Sequence, residues 1–321
     1  MRVLITGAGG FIGSHLVEKF YKHHDVTAML LPGERLRTNK PVKIVRADIT
    51  KPRTLKKITG WPEIVIHCAG LTKAMNSEDY FRVNTEGTFN LLNTLSNGNG
   101  ELKNFIFLSS IAAGGPAKDV DKPLTEDDDP EPIESYGQSK LEAEKILREY
   151  KIPTTILRLA TVYGGGSTEY LILMKLAAKR IRLVVDFERV PFSLIHVNDL
   201  SNNISRIMEL GNGHKPLYYL SDGRFYNYEI LSKTIAEMFP GNHLKLKVPQ
   251  RVFHLFGDLV DKFSRLAQKP SFLNAERVRI LSLPFICSSH RFFSHYGMDE
   301  PLALEEGLYE SLRWYRREGW L

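Results

Sequence analysis

A tyrosine and a lysine stand one helical turn apart, at Tyr136 and Lys140. At this spacing the phenol and the ammonium group share one face of an α-helix. A phenol, whose ordinary pKa is about 10, is a poor proton donor or acceptor at neutral pH. A fixed positive charge beside it favours the phenolate and brings its pKa towards the working range. The pair therefore fits proton transfer to or from an alcohol or carbonyl oxygen.

An isolated pair with this spacing is more often a solvated helix face without chemistry. Two further features favour catalysis here: a glycine-rich turn near the amino terminus and a serine pair, Ser109 and Ser110, at the end of a predicted strand. Successive side chains alternate between the two faces of a strand, so we expect only one of these serines to face a substrate.

The glycine-rich turn lies between an apolar run at residues 3–5 and a stretch with helical periodicity at residues 14–20. Gly7, Gly10 and Gly13 permit a tight turn, close approach of the backbone to a pyrophosphate, and close packing of helix on strand. The amino terminus of the helix then offers N–H groups to the phosphates. This order of elements predicts a dinucleotide site, although the glycine spacing differs from the common G-x-G-x-x-G fingerprint.

The end of the second predicted strand, residues 25–30, bears on the choice between the two nicotinamide dinucleotides. An NAD site usually has an acidic residue there, which bonds the ribose hydroxyl groups. Leu30 and Leu31 stand there instead, and Arg35 and Arg37 follow. The sequence therefore favours NADP over NAD as the cofactor, with Arg35 near the 2′-phosphate. The alternative is that both arginines are solvated loop charges.

Motifs spread along the chain resemble the extended short-chain dehydrogenase/reductase family, also called the NAD-dependent epimerase/dehydratase family. The resemblance runs nearly end to end and is carried, in chain order, by Thr6-Gly7-x-x-Gly10-x-x-Gly13, Ala47-Asp48-Ile49, His67-Cys68-Ala69-Gly70, Asn84-Thr85-Glu86-Gly87-Thr88, the strand 105–110, Tyr136-x-x-x-Lys140, residues 158–164 and residues 195–200.

The resemblance implies a role for each matching position. Ser110 should bond the substrate oxygen, Tyr136 should exchange its proton, and Lys140 should hold ribose hydroxyl groups while tuning Tyr136. His196 should be a structural residue near Asp199. With Arg35 included, the predicted cofactor-binding residues are Gly7, Gly10, Phe11, Ile12, Gly13, Arg35, Asp48, Ile49, Ala69, Gly70, Asn84, Tyr136 and Lys140.

Departures from the family pattern narrow the chemistry. Sugar dehydratases carry an acidic pair after the active-site serine, whereas Ile111 and Ala112 follow here. The predicted substrate-binding residues are Ser110, Thr161 and Phe192. Thr161 and Phe192 stand where nucleotide-sugar members have asparagine and arginine. A phenyl ring cannot neutralise a diphosphate, although Arg189 lies close enough in sequence to compensate.

The chain therefore resembles dihydroflavonol reductases and 3β-hydroxysteroid dehydrogenases. These imply an oxidoreductase that transfers a hydride between the nicotinamide and a carbonyl or secondary alcohol of a small apolar substrate. A nucleotide-sugar 4-epimerase is the alternative. A dinucleotide-binding subunit without turnover is the further alternative, which the intact serine, tyrosine and lysine disfavour.

The elements that must position these residues predict an α/β fold. Strand–helix alternation up to about residue 165 predicts a Rossmann-type, doubly wound parallel sheet. We assign residues 1–165 to a dinucleotide-binding domain and residues 166–321 to a smaller substrate lobe interleaved with it. The acidic, proline-containing segment 119–132 is predicted to be an exposed loop. Beyond residue 165 the predicted helices are 168–180, 199–210, 226–239, 250–267 and 303–317.

The predicted helix 250–267 has two interpretations. Phe253, Phe256, Val260 and Phe263 recur at helical spacing. The simpler interpretation is a helix that buries this stripe over the substrate lobe. The alternative is a mobile lid or a lipid-facing helix for an apolar substrate, which leaves peripheral membrane contact open.

Composition limits the partners. The net charge of +6 is spread along the sequence without a basic block or a nucleic-acid motif, so an anionic cofactor or substrate accounts for it and nucleic acid is not expected. Cys68 and Cys287 are the two cysteines, which favours a reducing cytoplasm. We predict no metal site, no signal peptide and no transmembrane segment. A homodimer through helices near 76–96 and 136–150 is expected from the resemblance.

Overall fold

A computed structural model describes residues 1–98, 101–187, 189–211, 217–249, 251–252, 255, 279–297 and 299–321. Within this part of the chain, the largest sheet has seven parallel strands in the order β10-β6-β5-β4-β1-β2-β3. These strands are β1 (Arg2–Thr6), β2 (Asp25–Leu30), β3 (Lys43–Arg46), β4 (Ile64–His67), β5 (Asn104–Ser110), β6 (Thr154–Leu159) and β10 (Leu217–Leu220). The strand order reverses at β1, which is the switch point of a doubly wound sheet.

Apolar alternation builds a core on each face of this sheet. On β1, Val3 and Ile5 pack into one cluster while Leu4 packs into the other. β4 is buried along its whole length. Buried parallel strands read as continuous apolar runs because helices cover both faces.

The helices of the first half are α1 (Phe11–Phe20), α2 (Pro52–Leu55), α3 (Ser77–Tyr80), α4 (Gly87–Ser96) and α5 (Ser135–Glu149). A π-helical segment at Phe81–Glu86 joins α3 to α4, and a 3₁₀ turn at Ile111–Ala113 follows β5. The second half contains α6 (Leu171–Ala178), α7 (Val197–Leu210), α8 (Tyr228–Glu237), α9 (His290–Tyr296) and α10 (Leu304–Arg317). Four of the five helices predicted beyond residue 165 therefore form, each within a few residues of its predicted bounds. The fifth, 250–267, lies outside the described residues except for 251–252 and 255.

Two small sheets belong to the second half. One has the order β11-β9-β7, with β7 (Thr161–Tyr163), β9 (Phe192–His196) and β11 (Phe225–Tyr226). The other pairs β8 (Ile181–Val185) with β12 (Leu244–Val248) in parallel. Helices α6, α8 and α10 share an apolar core with β9 and β11.

The two halves exchange elements, as the predicted interleaving requires. β10 comes from the second half and pairs with β6 at the edge of the large sheet. β7 comes from the first half and pairs with β9. Leu200 and Ile204 of α7 pack into the same cluster as Val3. The division at residue 165 stays a prediction.

The acidic segment 119–132 is more firmly held than predicted. Leu124 is buried, and its backbone bridges to that of Cys287. The Glu126 carboxylate accepts a hydrogen bond of 2.8 Å from the backbone N–H of Tyr219 and lies 3.5 Å from the Arg291 guanidinium. The expectation of a simple exposed loop was wrong at these positions, because one acidic side chain ties the segment to the sheet.

Within the described residues, no helix has both the length and the apolar composition required to cross a bilayer.

Candidate active site

The glycine-rich turn approaches the end of β4 so closely that side chains are excluded. Gly7 has a φ of 64°, and a Cβ placed on it would lie 2.8 Å from the backbone of Ala69. A Cβ on Gly13 would collide with the carbonyl of Gly7. Both positions need glycine, the first for its backbone conformation and both for space. The turn therefore has the shape of a phosphate cradle.

Helix α1 begins in a way that suits an anion. Phe11 and Ile12 form its first turn, and Gly10 precedes it without a side chain that could cap the helix. The first turn of α1 contains no acidic residue. Its N–H groups and the positive end of the helix dipole are thus left for a ligand, so the residues present fit a dinucleotide pyrophosphate.

A carboxylate that was not predicted from the sequence lies beside this cradle. Glu34 accepts a hydrogen bond of 3.0 Å from the backbone N–H of Leu31, and a Cβ on Gly9 would collide with the Glu34 carboxyl group. Glu34 reaches the end of β2 from a loop position beyond Leu30 and Leu31. The premise that no carboxylate stands at this strand end was therefore wrong. Arg35, the residue predicted to hold a 2′-phosphate, is exposed.

Asp48 and Ile49 follow β3, at the same edge of the sheet. The Asp48 carboxylate accepts hydrogen bonds from the backbone N–H and the hydroxyl of Thr50, at 2.9 and 2.7 Å. Partial burial raises the pKa of Asp48, but the bonds from Thr50 and the charge of Lys51 outweigh it, so the pKa is lowered. Ile49 is buried against Gly87.

A one-directional chain of buried hydrogen bonds fixes the end of β4. The backbone N–H of Ala69 donates to the hydroxyl of Thr6, which lies 2.7 Å from Nδ1 of His67. On the other side, Nε2 of His67 lies 3.0 Å from the hydroxyl of Thr88, which donates to the carbonyl of Asn84. Burial lowers the pKa of His67 to about 3, so the ring is neutral and donates from Nε2.

The Asn84 side chain is engaged by protein groups. Its carbonyl oxygen accepts from the backbone N–H of Leu71 at 2.7 Å, and its amide donates to the Leu71 carbonyl and the Ser139 hydroxyl at 3.0 Å each. Asn84 lies in the π-helical segment, a geometry that is frequent at functional sites. Its amide thus joins the segment after β4 to helix α5.

The elements that carry Ser110 and Tyr136 are in close contact. A Cβ on Gly137 would collide with the carbonyl of Ala112, so the first turn of α5 packs directly on the 3₁₀ turn after Ser110. The Ser110 hydroxyl caps that turn by accepting from the Ala112 N–H at 3.2 Å. The half-buried Tyr136 ring lies 5.9 Å from the ring of Tyr80.

Lys140 lies one turn further along α5 and is buried. Its ammonium donates a hydrogen bond of 2.8 Å to the carbonyl of Leu108 and lies 4.7 Å from the centre of the Phe107 ring. A Cβ on Gly70 would lie 3.4 Å from Nζ of Lys140. Burial lowers the pKa of Lys140 to about 8. The end of β4 therefore lies between the glycine-rich turn and the ammonium group of Lys140.

Ser109 points away from this site, as strand alternation requires. Its hydroxyl donates to the Glu144 carboxylate at 2.6 Å, and the same carboxylate receives two nitrogens of Arg158 at 2.8 and 3.1 Å. Arg158 also donates to the hydroxyl of Tyr219 at 2.9 Å. Burial opposes the charge of Arg158, but the bonds to Glu144 outweigh it, and its pKa is raised. This buried group, which we call the Glu144–Arg158 network, fixes α5 against β5 and β6.

Two of the predicted substrate-binding residues, Thr161 and Phe192, lie on the three-stranded sheet β11-β9-β7. Thr161 begins β7, and the half-buried Phe192 begins β9 with its ring 4.9 Å from that of Tyr228. A crevice of about 550 Å³ next to β9 and β11 is lined by Phe187, Pro191, Phe225, Asp121, Asp186 and Arg189, among others. Arg189 pairs with Glu229 at 3.5 Å.

His196 has the structural role expected of it. Its Nδ1 accepts from the backbone N–H of Asn198 at 3.3 Å and thereby caps α7, whose first turn contains Asp199. Burial lowers the pKa of His196 to about 4.

The helices predicted to form a dimer interface use most of their apolar residues inside the protomer. Leu91 and Leu92 of α4 and Leu147 of α5 are buried in the core beneath the sheet. Leu141 is also buried. These leucines therefore serve the core and not a partner, and the homodimer stays a prediction. Phe89 of α4 is exposed and remains available for a partner.

Sequence reasoning missed three residues of the site. His67 appeared only as part of a motif, Glu34 was passed over because it lies beyond the strand end, and Glu144 was not noticed. The signal for Glu144 was present, since it follows Lys140 by one turn and Arg158 interrupts an apolar strand.

Comparison with known proteins agrees with this geometry. The sequence profile described as "NAD dependent epimerase/dehydratase family" matches residues 3–218. A ceramide reductase from Caulobacter vibrioides is 29% identical over 328 residues, which cover 99% of this chain and 96% of that protein. A UDP-glucose 4-epimerase from Vibrio cholerae is 27% identical over 272 residues, covering 81% of this chain and 82% of that protein.

Solved structures share the fold over almost the whole chain. The UDP-glucose 4-epimerase of Thermotoga maritima, solved with UDP-glucose, superposes with a TM-score of 0.78 at 22% identity and covers 99% of both chains. The Bordetella bronchiseptica enzyme WbmH, solved with NAD⁺, gives a TM-score of 0.78 at 20% identity, again with 99% of both chains covered.

Proposed function

Because the chain belongs to the NAD-dependent epimerase/dehydratase family, we propose that it is a reductase or dehydrogenase of an apolar carbonyl compound or secondary alcohol. The family consists of NAD-dependent enzymes, and this chain is one of them. The observation that supports the proposal is the close packing of the first turn of α5, which contains Tyr136, on the 3₁₀ turn after Ser110, with Lys140 buried one turn further along α5. These are the groups that proton exchange at a carbonyl oxygen requires.

Each of these groups has one task in the proposed reaction. Bound nicotinamide would supply or accept the hydride. The Ser110 hydroxyl donates a hydrogen bond to the substrate oxygen and orients it. The Tyr136 hydroxyl gives that oxygen a proton during reduction and takes it back during oxidation. The Lys140 ammonium favours the tyrosinate form and holds ribose hydroxyl groups.

Three observations support an apolar substrate. Phe192 packs on Tyr228 at the position where nucleotide-sugar members carry an arginine. The crevice beside it has aromatic walls, and its two carboxylates, Asp121 and Asp186, outnumber the one cation among the described residues of its lining, Arg189, which pairs with Glu229; this charge balance disfavours a diphosphate. One of the relatives that match the chain almost end to end is a ceramide reductase, whose named substrate is a lipid. We therefore place a long-chain ketone or alcohol first among substrate classes.

A nucleotide-sugar 4-epimerase is the second candidate, favoured by the similarity to the Vibrio cholerae enzyme. An epimerase oxidises and then reduces the same sugar carbon, so it needs the same serine, tyrosine and lysine and produces no net reduced cofactor. Beyond the reacting carbon, the epimerase must bind a nucleoside diphosphate, whereas the reductase must bind an apolar group. Arg189, three residues before Phe192 in sequence, is the cation that could bind the diphosphate.

For the cofactor, Glu34 changes the preference drawn from sequence. A carboxylate at this strand end accepts hydrogen bonds from ribose hydroxyl groups and repels a 2′-phosphate. Because the Glu34 carboxyl lies against Gly9 of the cradle, we propose NAD and not NADP as the preferred dinucleotide. Arg35, next to it in sequence, is the residue that would oppose this preference.

The remaining parts of the proposal are a cytoplasmic location and a homodimer. Cys68 and Cys287 are both unpaired thiols, and burial raises the pKa of each to about 12. Exposed Phe89 on α4 marks the helix face on which a second copy would dock. Static light scattering at micromolar concentration tests the dimer.

The experiment that tests the function compares two reactions. In the first, the protein is incubated with NADH or NADPH and either long-chain ketones or steroid ketones, and the loss of reduced nicotinamide is followed. In the second, it is incubated with NAD⁺ and UDP-glucose, because epimerisation begins with oxidation of the sugar. We expect turnover with one of the ketone classes and a large loss of it in the Tyr136→Phe variant. Conversion of UDP-glucose to its 4-epimer without net change in the cofactor would replace the proposal with the epimerase.

A further inference from the structure

The two-stranded sheet of β8 and β12, together with helix α6, forms a surface unlike the rest of the molecule. We call this surface the basic ribbon. The register pairs Leu244 with Ile181 and Leu246 with Leu183, so these side chains share one face of the ribbon. Leu244 is 70% exposed and Leu246 is 47% exposed. The apolar face of a two-stranded sheet is thus left partly open to water.

The segments that carry these leucines contain basic residues and no acidic residue. Residues 171–185 and 241–252 contain no aspartate or glutamate. Their basic residues are Lys175, Lys179, Arg180, Arg182, Lys245, Lys247 and Arg251. These seven charges exceed the +6 net charge of the entire chain, so the remainder of the sequence is close to neutral. The pairing of β8 with β12 brings the two segments together, with the Arg182 guanidinium held by the Ser232 hydroxyl and the Glu229 carbonyl of α8.

Two contacts, near the start of β12 and the end of α6, join the two segments into one surface. The backbone N–H of Leu244 donates to the carbonyl of Arg180 at 2.8 Å, and Nε2 of His243 lies 3.1 Å from the carbonyl of Ala177. Arg180 adopts a φ of 61°, an uncommon left-handed conformation for this residue, in the exposed turn between α6 and β8. Leu244 therefore lies beside the turn that contains Lys179 and Arg180.

Helix α6 adds exposed apolar and basic side chains to this surface. Ile172, Lys175 and Lys179 are all exposed, and their spacing places them on one helix face. Ile172 is 53% exposed. Met174 and Ala177 of the same helix are buried in the core, so the helix is anchored by its opposite side.

We propose that the basic ribbon docks the protein on an anionic lipid bilayer. Alternation along β12 puts Leu244 and Leu246 on one face of the ribbon and Lys245 and Lys247 on the other, so the bilayer would meet the ribbon along the edge of β12. There the exposed leucines would reach the boundary between headgroups and acyl chains, while the lysines contact anionic headgroups. A nucleic acid would match the charge but not the open apolar face. A second copy pairing along edge strand β12 would bring Lys245 and Lys247 close to their own equivalents, which opposes that arrangement. The proposal does not depend on which substrate the active site takes.

Sedimentation with vesicles tests the docking directly. Vesicles of phosphatidylcholine alone are compared with vesicles that also contain phosphatidylglycerol, at low and high salt. We expect the wild-type protein to bind the anionic vesicles and to be released by salt. Failure to prefer anionic over neutral vesicles overturns the proposal.

Paired variants separate the ribbon from unspecific effects. Lys245→Glu with Lys247→Glu should lower partitioning onto anionic vesicles by about thirtyfold or more, because each basic residue at the surface contributes about a fivefold gain. Leu244→Glu with Leu246→Glu should lower it by at least about tenfold. The matched controls are Lys56→Glu with Lys57→Glu and Leu210→Glu, which alter exposed residues elsewhere.

Two outcomes of this series would contradict the proposal. One is an equal loss of vesicle binding in the control variants. The other is a protein that is dimeric by light scattering and becomes monomeric in the leucine double variant without ever binding vesicles, since a second copy would then cover the ribbon. Cofactor titration of each variant, expected to be unchanged, establishes that the fold is retained.

Discussion

Several side chains at the carboxyl edge of the large sheet are buried and hydrogen-bonded, whereas several of those on the basic ribbon are exposed. At the sheet edge, His67, Asn84 and Glu144 are buried, and each is bonded to protein groups on neighbouring elements. On the ribbon, Leu244 and Lys245 are exposed on an edge strand. The first region loses stability if any partner is removed, whereas the second should tolerate substitution. The proposed chemistry thus lies where buried hydrogen bonds fix the side chains, and the proposed surface recognition lies where side chains are exposed.

The largest expected effect at the sheet edge is chemical. Tyr136→Phe removes one hydroxyl and leaves the ring against Tyr80, so cofactor binding and thermal stability should change little. Turnover should fall by about 10²–10⁴-fold, since a proton-transfer group is lost. Steady-state rates with the best ketone measure this, and a rate near that of the wild type would exclude Tyr136 as the proton donor.

The next effect is on stability. Glu144→Gln removes the charge that faces buried Arg158, and breaking a buried ion pair costs about 3–5 kcal/mol of unfolding free energy. The matched control is Glu142→Gln on the same helix, whose 2.7 Å pair with Lys145 is exposed and should contribute less than about 1 kcal/mol. Urea unfolding of both variants measures the difference. Equal midpoints would show that the Glu144–Arg158 network does not hold α5.

The third expected effect is on cofactor affinity. Glu34→Gln keeps the shape of the side chain and removes its charge, so NAD should bind about 10–100-fold more weakly while NADP binds no worse. The control, Glu101→Gln, changes an exposed residue far along the chain. Fluorescence titration with both dinucleotides gives the affinities. If the wild type already prefers NADP, and Arg35→Ala abolishes that preference, the original interpretation of the sequence was right.

These residues also explain how far the sequence could lead. The glycine turn, the tyrosine–lysine pair and the strands were predictable because each is encoded in a short stretch with local periodicity or spacing. Glu34 was not predictable, because its carboxyl returns to Gly9 through the conformation of a loop. The basic ribbon was hidden for a different reason: its two segments lie far apart in sequence, and only the pairing of β8 with β12 joins them.

The smallest effect concerns pH and distinguishes the buried lysine from the exposed ones of the ribbon. Burial lowers the pKa of Lys140 to about 8 in the protein without cofactor. Below that pH the ammonium is present, and above it the group becomes neutral and can no longer attract ribose hydroxyl groups or favour the tyrosinate. Dinucleotide affinity should therefore fall by up to about tenfold per pH unit above pH 8.

Stability should move the other way over the same range. Because the folded-state pKa lies below the unfolded value of about 10.5, the unfolded chain binds more protons between these two pH values, and the free energy of unfolding rises with pH there. Lys140→Met should remove both trends, whereas Lys145→Met, an exposed substitution on the same helix, should remove neither. A dinucleotide affinity that stays level from pH 7 to pH 10 would mean that Lys140 keeps its proton throughout, and that its burial is offset by charges such as that of Glu144.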